Sequence, residues 1–172
     1  MGGITHMNIQ NQFWNFLVQL KAWIFYLDEY ADISYKWERR INIITAVASS
    51  SSIAAWVIWD KLEFIWGFII AASQVISAIN KYFPFKKRIE ISGTFIHDLE
   101  ALFFETEYIW FKVASGQLTE NEINDELFKL KNKYNILSKE NLKQTGLLEN
   151  KRIKKHADIK TEQYFNKNYP SN

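Results

Sequence analysis

Two long stretches of the chain are uncharged and are separated by only a few positions. The first runs over Ile41–Trp59 and the second over Phe64–Asn80, with residues 60–63 between them. At about 1.5 Å per helical residue each stretch spans roughly 26–28 Å, close to the thickness of a bilayer's hydrocarbon core. The pattern therefore predicts a transmembrane helical hairpin, with a buried hairpin of a soluble protein as the alternative.

Most of the basic residues near this hairpin lie outside it, and one lies in its turn. Arg39 and Arg40 precede the first stretch, whereas Lys61 is the basic residue between the two stretches. The basic residues that follow the second stretch include Lys86, Lys87 and Arg88. Positive charge close to transmembrane segments marks the cytoplasmic side. We therefore expect both termini to face the cytoplasm.

Each stretch also has one face of small or polar residues, spaced three and four positions apart. One interpretation is helix packing, in which hydroxyl groups bond across the contact for about 0.6 kcal/mol each. The other is an oligomer in which these faces line a water-filled lumen. Gln74 bears on both, because an amide near the bilayer centre needs hydrogen-bonding partners. The candidate pore or helix-interface residues are Asn42, Thr45, Ser49, Ser52, Gly67, Ala71, Gln74, Ser77 and Asn80.

Helical periodicity continues on both sides of the hairpin. Apolar positions from Phe13 to Leu27 predict an amphipathic helix, which either packs on another helix or lies at the membrane interface. After Pro84 the apolar spacing is typical of a coiled-coil or bundle seam and predicts a helix that needs a partner. The seam residues of this helix include Ile89, Ile96, Leu99, Phe103 and Trp110.

A turn signal follows that helix. Gly116 is a stop signal, and Thr119 with Glu122 matches a capping box that opens an antiparallel return helix. The whole pattern predicts an all-α protein: a two-helix transmembrane hairpin whose long cytoplasmic helices form a bundle, in an oligomer. The predicted segments are an N-terminal aromatic amphipathic helix at 1–34, the transmembrane hairpin at 35–84, a cytoplasmic helical pair at 85–145 and a basic C-terminal tail at 146–172.

The amino-acid composition and the spacing of the histidines argue against several kinds of chemistry. The chain has no cysteine, which excludes disulfides, thiolate metal sites and cysteine nucleophiles. Its three histidines are far apart in sequence and form no catalytic motif. His97 and Glu100 lie one turn apart, but a solvated helix face has the same spacing. We therefore expect a protein that is not an enzyme and that needs neither a cofactor nor a metal.

The basic C-terminal segment has two interpretations. Lys151, Arg152, Lys154 and Lys155 can attract anionic lipid or nucleic acid by charge alone. The favoured interpretation is a solvated helix face, because the aromatic residues are too few for a base-stacking platform.

Residues 35 to 140 resemble the SLATT domain, named for its association with SMODS and SLOG proteins. The resemblance is carried by WERR, ITAVASSSSIAAWVIW, GFIIAASQVISAINKYFPFKKR, HDLEALFFETEYIW and SGQLTENEI. Proteins of this family are bacterial effectors with two transmembrane helices. They accompany conflict systems built on nucleotide second messengers or reverse transcriptases.

The resemblance implies a membrane effector of antiphage defence that assembles, permeabilises the bacterial inner membrane and arrests or kills the infected cell. The implied partners are membrane lipid, further copies of the chain, and an operon-encoded nucleotidyltransferase or reverse transcriptase that supplies the signal. Two other classes of function stay open. One is a membrane adaptor or scaffold that binds a partner through its cytoplasmic helices without forming a pore, and the other is a soluble helical interaction module.

Overall fold

The computed structural model describes residues 8–58, 67–68, 71–72, 74–76, 78, 85–142 and 150–169, with the side chains of 47–58 and 85–88 left out. Four helices have defined bounds within these ranges: α1 Ile9–Ile58, α2 Phe85–Ala114, α3 Glu120–Leu142 and α4 Lys151–Asn168. The predicted all-α class is confirmed over the described residues. No helix among them is long and apolar enough to cross a membrane.

The predicted hairpin is described only in part. Helix α1 covers most of the first uncharged stretch, but its side chains from Val47 onward lie outside the described residues. The turn at 60–63 and most of the second stretch also lie outside them.

The chain divides into two compact units. Unit 1 comprises Met1–Tyr30 and Ile91–Asn172, and unit 2 comprises Ala31–Glu90. Helix α1 contributes residues to both units. Most of the predicted segments 1–34 and 85–145, and the whole of 146–172, belong to unit 1. Contacts between distant parts of the sequence hold them together, and local periodicity does not indicate such contacts.

Within unit 1, α2 and α3 form an antiparallel pair. Lys133 on α3 pairs with Glu105 on α2 at 2.5 Å, and the Asn141 amide donates to the Asp98 carboxylate at 3.4 Å. The later residue on α3 meets the earlier residue on α2, so the helices run in opposite directions.

The end of α2 has the geometry of a Schellman motif. Gly116 has a φ of 69°, a left-handed conformation that glycine adopts without a steric penalty. Its N–H donates to the Val113 carbonyl at 3.1 Å, and the Gln117 N–H donates to the Lys112 carbonyl at 3.0 Å. Both bonds satisfy carbonyls that the end of the helix would otherwise leave unpaired.

A capping box opens α3, as the sequence predicts. The Thr119 N–H donates to the Glu122 carboxylate at 2.8 Å, and the Glu122 N–H donates to the Thr119 hydroxyl at 3.4 Å. These hydrogen bonds lower the pKa of Glu122, with the Thr119 backbone bond as the largest cause.

Helix α1 runs antiparallel to both α4 and α2 within unit 1. Glu29 pairs with Lys160 at 2.9 Å, whereas Trp14 meets Phe165 with ring centroids 5.1 Å apart. Trp14 also meets Trp110 of α2, with centroids 5.1 Å apart. On the other side, Phe16 contacts Tyr134 of α3. Together with the α2–α3 pair, these contacts define an up-down-up-down four-helix bundle.

The aromatic helix at the N-terminus therefore takes the first of its two predicted roles, which is packing. Its apolar face lies in the core of the bundle together with the seam of α2. The largest fully buried side chains are Phe13, Phe95, Phe103, Leu17, Leu20, Leu27, Leu99, Ile123, Leu130, Val113 and Thr106.

Lys21 lies among aromatic rings from three helices. Its ammonium lies 5.2 Å from the ring centroid of Phe25 on α1, 4.6 Å from that of Phe103 on α2 and 4.3 Å from that of Tyr164 on α4. Burial lowers the pKa of Lys21, and the nearby carboxylates oppose this shift. Cation–π attraction to partly desolvated rings compensates the lost hydration and joins the three helices.

The C-terminal segment is a helix with one buried face, which corrects its description as a tail. Its basic residues are exposed on that helix, as the favoured interpretation predicts. The Asn150 side chain caps α4 by accepting from the backbone N–H groups of Arg152 and Ile153. Beyond the helix, the Tyr169 hydroxyl donates to the Glu107 carboxylate. Burial and this bond raise the pKa of Tyr169. The buried face of α4 consists of Ile153, Ala157, Thr161 and Phe165.

Neighbouring phenylalanines on α2 provide a matched test of this packing. Phe103 is 1% exposed and Phe104 is 63% exposed. We predict that Phe103→Ala lowers the free energy of unfolding by about 3–5 kcal/mol, because it opens a cavity in the core. Phe104→Ala should change it by less than about 0.5 kcal/mol. Urea denaturation followed by circular dichroism measures both, and equal losses would contradict the assigned core.

The capping box predicts a pH dependence of stability. The pKa of Glu122 is lower in the folded state than its ordinary value of 4.5. Its contribution is therefore complete above the unfolded-state pKa and is lost as the pH falls through the folded-state pKa. We expect Glu122→Gln to be less stable than the natural chain at neutral pH, with the difference fading in acid.

Urea midpoints measured from about pH 7 down to about pH 3 follow this difference. Glu120→Gln is the control, because it removes a carboxylate from the same helical turn without touching the capping box. A difference between Glu122→Gln and the natural chain that is constant over this range would contradict the prediction.

Candidate membrane-facing surface

The part of α1 that lies in unit 2 exposes large apolar side chains. Tyr35, Trp37, Ile43 and Ile44 are between 44% and 56% exposed. Beyond the first uncharged stretch, Phe68 and Val75 are exposed as well, at 70% and 56%. Where its side chains are described, unit 2 therefore presents an apolar surface.

Unit 1 differs from unit 2 in this respect. Every buried apolar residue among the described side chains belongs to unit 1. Among the described side chains of unit 2, the buried one is that of Ser34. The described part of unit 2 thus has no apolar core of its own, although its apolar side chains are as large as those buried in unit 1.

Basic residues lie beside the exposed apolar side chains. Arg39 and Arg40 are exposed, and the Arg40 guanidinium lies 5.7 Å from the ring centroid of Trp37. Neither arginine has an ion-pair partner among the described residues. The other predicted flanking residues, Lys86, Lys87 and Arg88, lie in α2, and their side chains are outside the described set.

Of the polar positions predicted in the first stretch, two have described side chains. Asn42 is exposed. Thr45 is half-buried, and its hydroxyl donates to the Ile41 carbonyl of the same helix at 2.9 Å. Part of the Thr45 hydrogen-bonding capacity is therefore used within α1. The side chains of Ser49 and Ser52 lie outside the described residues.

In the second stretch, Gly67, Ala71 and Gln74 are all exposed. A methyl group added at Gly67 would meet no atom within 4 Å, so this glycine is not at a close helix contact within the single chain. Ser77 and Asn80 lie outside the residues whose side chains are described.

A shallow groove of about 360 Å³ follows this surface of α1. It combines polar and apolar side chains at helical spacing. Its described lining consists of Tyr35, Glu38, Arg39, Asn42, Ile43 and Ala46. The basic flank and the first polar position of the stretch therefore face the same groove.

The seam predicted on α2 lies mostly inside unit 1. Leu99 and Phe103 are buried, whereas Ile89, Ile96 and Trp110 are half-buried. A parallel row of buried residues was missed. It consists of Phe95, Leu102 and Ile109, which repeat every seven positions. A search for the wider apolar face of a bundle helix would have found it, whereas the a/d pattern is narrower.

The described residues provide no grouping for metal chemistry. They contain no cluster of three or more histidine and carboxylate side chains that could hold a metal ion. His97 and Glu100 lie 3.6 Å apart on a helix surface where the histidine side chain is largely exposed.

Comparison with protein-family models, curated proteins and solved structures finds no match for this chain.

Arg39 and Arg40 should strengthen the binding of unit 2 to an anionic lipid surface. Each basic residue near such a surface contributes about 1 kcal/mol. We predict that the double variant Arg39→Gln/Arg40→Gln weakens partition onto vesicles of phosphatidylcholine and phosphatidylglycerol by about thirtyfold. Flotation of the full chain with vesicles measures the partition.

The control removes the same charge from unit 1, as Lys151→Gln/Arg152→Gln. It should leave partition nearly unchanged. An equal loss in both double variants would show that net charge, and not this surface, determines binding.

Proposed function

We propose that this chain is a membrane effector of bacterial antiphage defence. Unit 2 enters the inner membrane as a helical hairpin, and copies of the chain assemble there. A signal from a partner enzyme triggers assembly, which permeabilises the membrane and stops the growth of the infected cell. Both termini and the unit 1 bundle lie in the cytoplasm.

The observation that carries the proposal is the contrast in burial between the two units. Full burial of a large apolar side chain contributes about 1.5–3 kcal/mol. Unit 1 obtains this stabilisation in its own core, whereas Trp37, Ile43 and Phe68 in unit 2 stay exposed. Soluble monomers rarely expose large continuous apolar patches. Lipid provides an apolar environment for these side chains.

The flanking residues support the same placement. Tryptophan and tyrosine are enriched at membrane interfaces, and arginine is enriched on the cytoplasmic side. Tyr35, Trp37, Arg39 and Arg40 lie together on α1 immediately before the first uncharged stretch. They suit the cytoplasmic edge of a bilayer.

The exposed polar positions support assembly. Asn42 and Gln74 are exposed in the single chain, and an amide without a hydrogen-bonding partner is costly in hydrocarbon. Contact with another copy, or with water in a shared lumen, would satisfy these amides. The open space at Gly67 leaves room for the close approach of a second helix.

The resemblance to SLATT proteins supports the biological setting. It implies defence against phage and an operon partner such as a nucleotidyltransferase or reverse transcriptase. The packed bundle of unit 1 is the part of the chain that such a partner or its signal would meet in the cytoplasm. Nucleic acid is not the favoured ligand, because α4 uses its aromatic side chains Tyr164 and Phe165 in internal contacts.

A second candidate function is a membrane adaptor that forms no pore. One observation favours it: Phe104, Tyr108 and Phe111 form an exposed aromatic row on α2, each about 60% exposed. Such a row suits a protein partner. The buried seam residues Leu99 and Phe103 are not available for this purpose. The partner-binding surface of an adaptor would therefore be the exposed aromatic row and not the predicted seam.

Dye release from proteoliposomes tests the proposal. We expect the full chain to release dye increasingly as its density in the membrane rises. Gln74→Leu should reduce the association constant of the chain in the membrane about fivefold if the amide contributes about 1 kcal/mol to assembly. Dye release at a given density should fall with it.

Val75→Leu is the matched control, because it alters an exposed apolar neighbour and leaves the amide in place. Cross-linking measures assembly separately from leakage. If the natural protein is correctly inserted and the liposomes still retain all dye at every density, the pore is contradicted and the adaptor is the better candidate.

A further inference from the structure

A groove of about 430 Å³ lies between α1 and α4 in unit 1. Its volume is within the range of sites for small molecules. The α1 side is lined by Gln19, Ala22, Trp23 and Tyr26, and the α4 side by Lys154, Ala157 and Asp158. The groove thus combines aromatic rings, an amide and two opposite charges.

The aromatic wall is held in place by the fold. The rings of Trp23 and Tyr26 meet edge to face, with centroids 5.7 Å apart. The Tyr26 hydroxyl accepts a hydrogen bond from the Asn150 N–H at 3.1 Å, directly before α4 begins. Tyr26 is only 7% exposed, so its ring cannot turn away easily. A flat ligand would therefore find a preformed surface.

The electrostatics of the groove favour an anion. The described lining carries one basic and one acidic residue, Lys154 and Asp158, both on α4. Around this lining, the first turns of α4 carry further positive charge in a basic group. The basic group consists of Lys151, Arg152, Lys154 and Lys155. Glu29 of α1 is paired with Lys160 and lies 3.8 Å from His156. The positive end of the α4 dipole adds to this potential.

We infer that the groove binds a small, flat aromatic molecule that carries an anionic group. The ring lies against Trp23 and Tyr26, and the anionic group meets the Lys154 ammonium. Gln19 and Asp158 accept hydrogen bonds from polar ring substituents. This binding site goes beyond the proposed membrane function and does not depend on it.

Naphthyl phosphate and 1-naphthol are suitable probes, because they share a ring system and differ in the anionic group. The full chain is kept in a mild detergent, and equilibrium dialysis is run against the same detergent without protein. We expect naphthyl phosphate to bind more tightly than naphthol. Lys154→Gln should weaken naphthyl phosphate by about tenfold, the effect of losing one charged hydrogen bond, and leave naphthol unchanged.

Two variants locate the binding. Ala22→Trp fills the groove and should abolish binding of both probes. If that variant does not fold, Trp23→Leu takes its place and should weaken binding of both probes. Lys167→Gln removes a charge from the far end of α4 and should change neither. Circular dichroism shows whether each variant keeps its helices.

Three results would overturn the inference. The first is no saturable binding of naphthyl phosphate. The second is binding that survives both Ala22→Trp and Trp23→Leu. The third is a Lys154→Gln variant with natural affinity. Naphthyl phosphate that still binds Ala22→Trp and is displaced by a single-stranded oligonucleotide would instead identify a polyanion surface on α4.

Discussion

The fold depends on the burial of one face of α1 among the other three helices of unit 1. Phe13, Leu17, Leu20 and Leu27 are at most 1% exposed, and this face contacts residues that lie more than eighty positions away in sequence. Lys21 lies between the same helices, with its side-chain nitrogen over the rings of Phe25, Phe103 and Tyr164. An apolar residue at this position would fill the space but would lose the cation–π attraction. The core of the bundle is therefore complete only when α1 packs against helices from the second half of the chain.

The same helix changes its surface chemistry at the boundary between the units. Up to Tyr30, the large apolar side chains of α1 are buried or half-buried, whereas Tyr35, Trp37, Ile43 and Ile44 are exposed. This change is not a matter of composition, because Trp37 and Ile43 are as apolar as Phe13 and Leu17. It depends on which residues have helices packed against them within the chain. Under the proposed function, lipid covers the exposed surface of unit 2, whereas the bundle of unit 1 buries its own apolar residues.

Local patterns in the sequence predicted the helices better than their arrangement. Gly116, Thr119 and Glu122 indicate their turn and cap because the relevant hydrogen bonds are local. The packing of α4 was missed because its buried stripe is small, with Ala157 and Thr161 at two of its positions, and is surrounded by lysines. The groove between α1 and α4 could not be predicted either. It requires Trp23 and Lys154 to come together from opposite ends of the chain.

The exposed apolar surfaces of unit 1 and unit 2 would associate through different forces in water and in lipid. In water, the aromatic row of Phe104 and Tyr108 on α2 gains free energy by association with another protein, since burial removes apolar area from water. In lipid this driving force disappears, and association depends on close packing and on hydrogen bonds between polar groups. Gly67 and Gln74 are suited to that second kind of contact. Under the proposed function, unit 1 therefore selects partners in the cytoplasm while the polar positions of unit 2 govern assembly within the membrane.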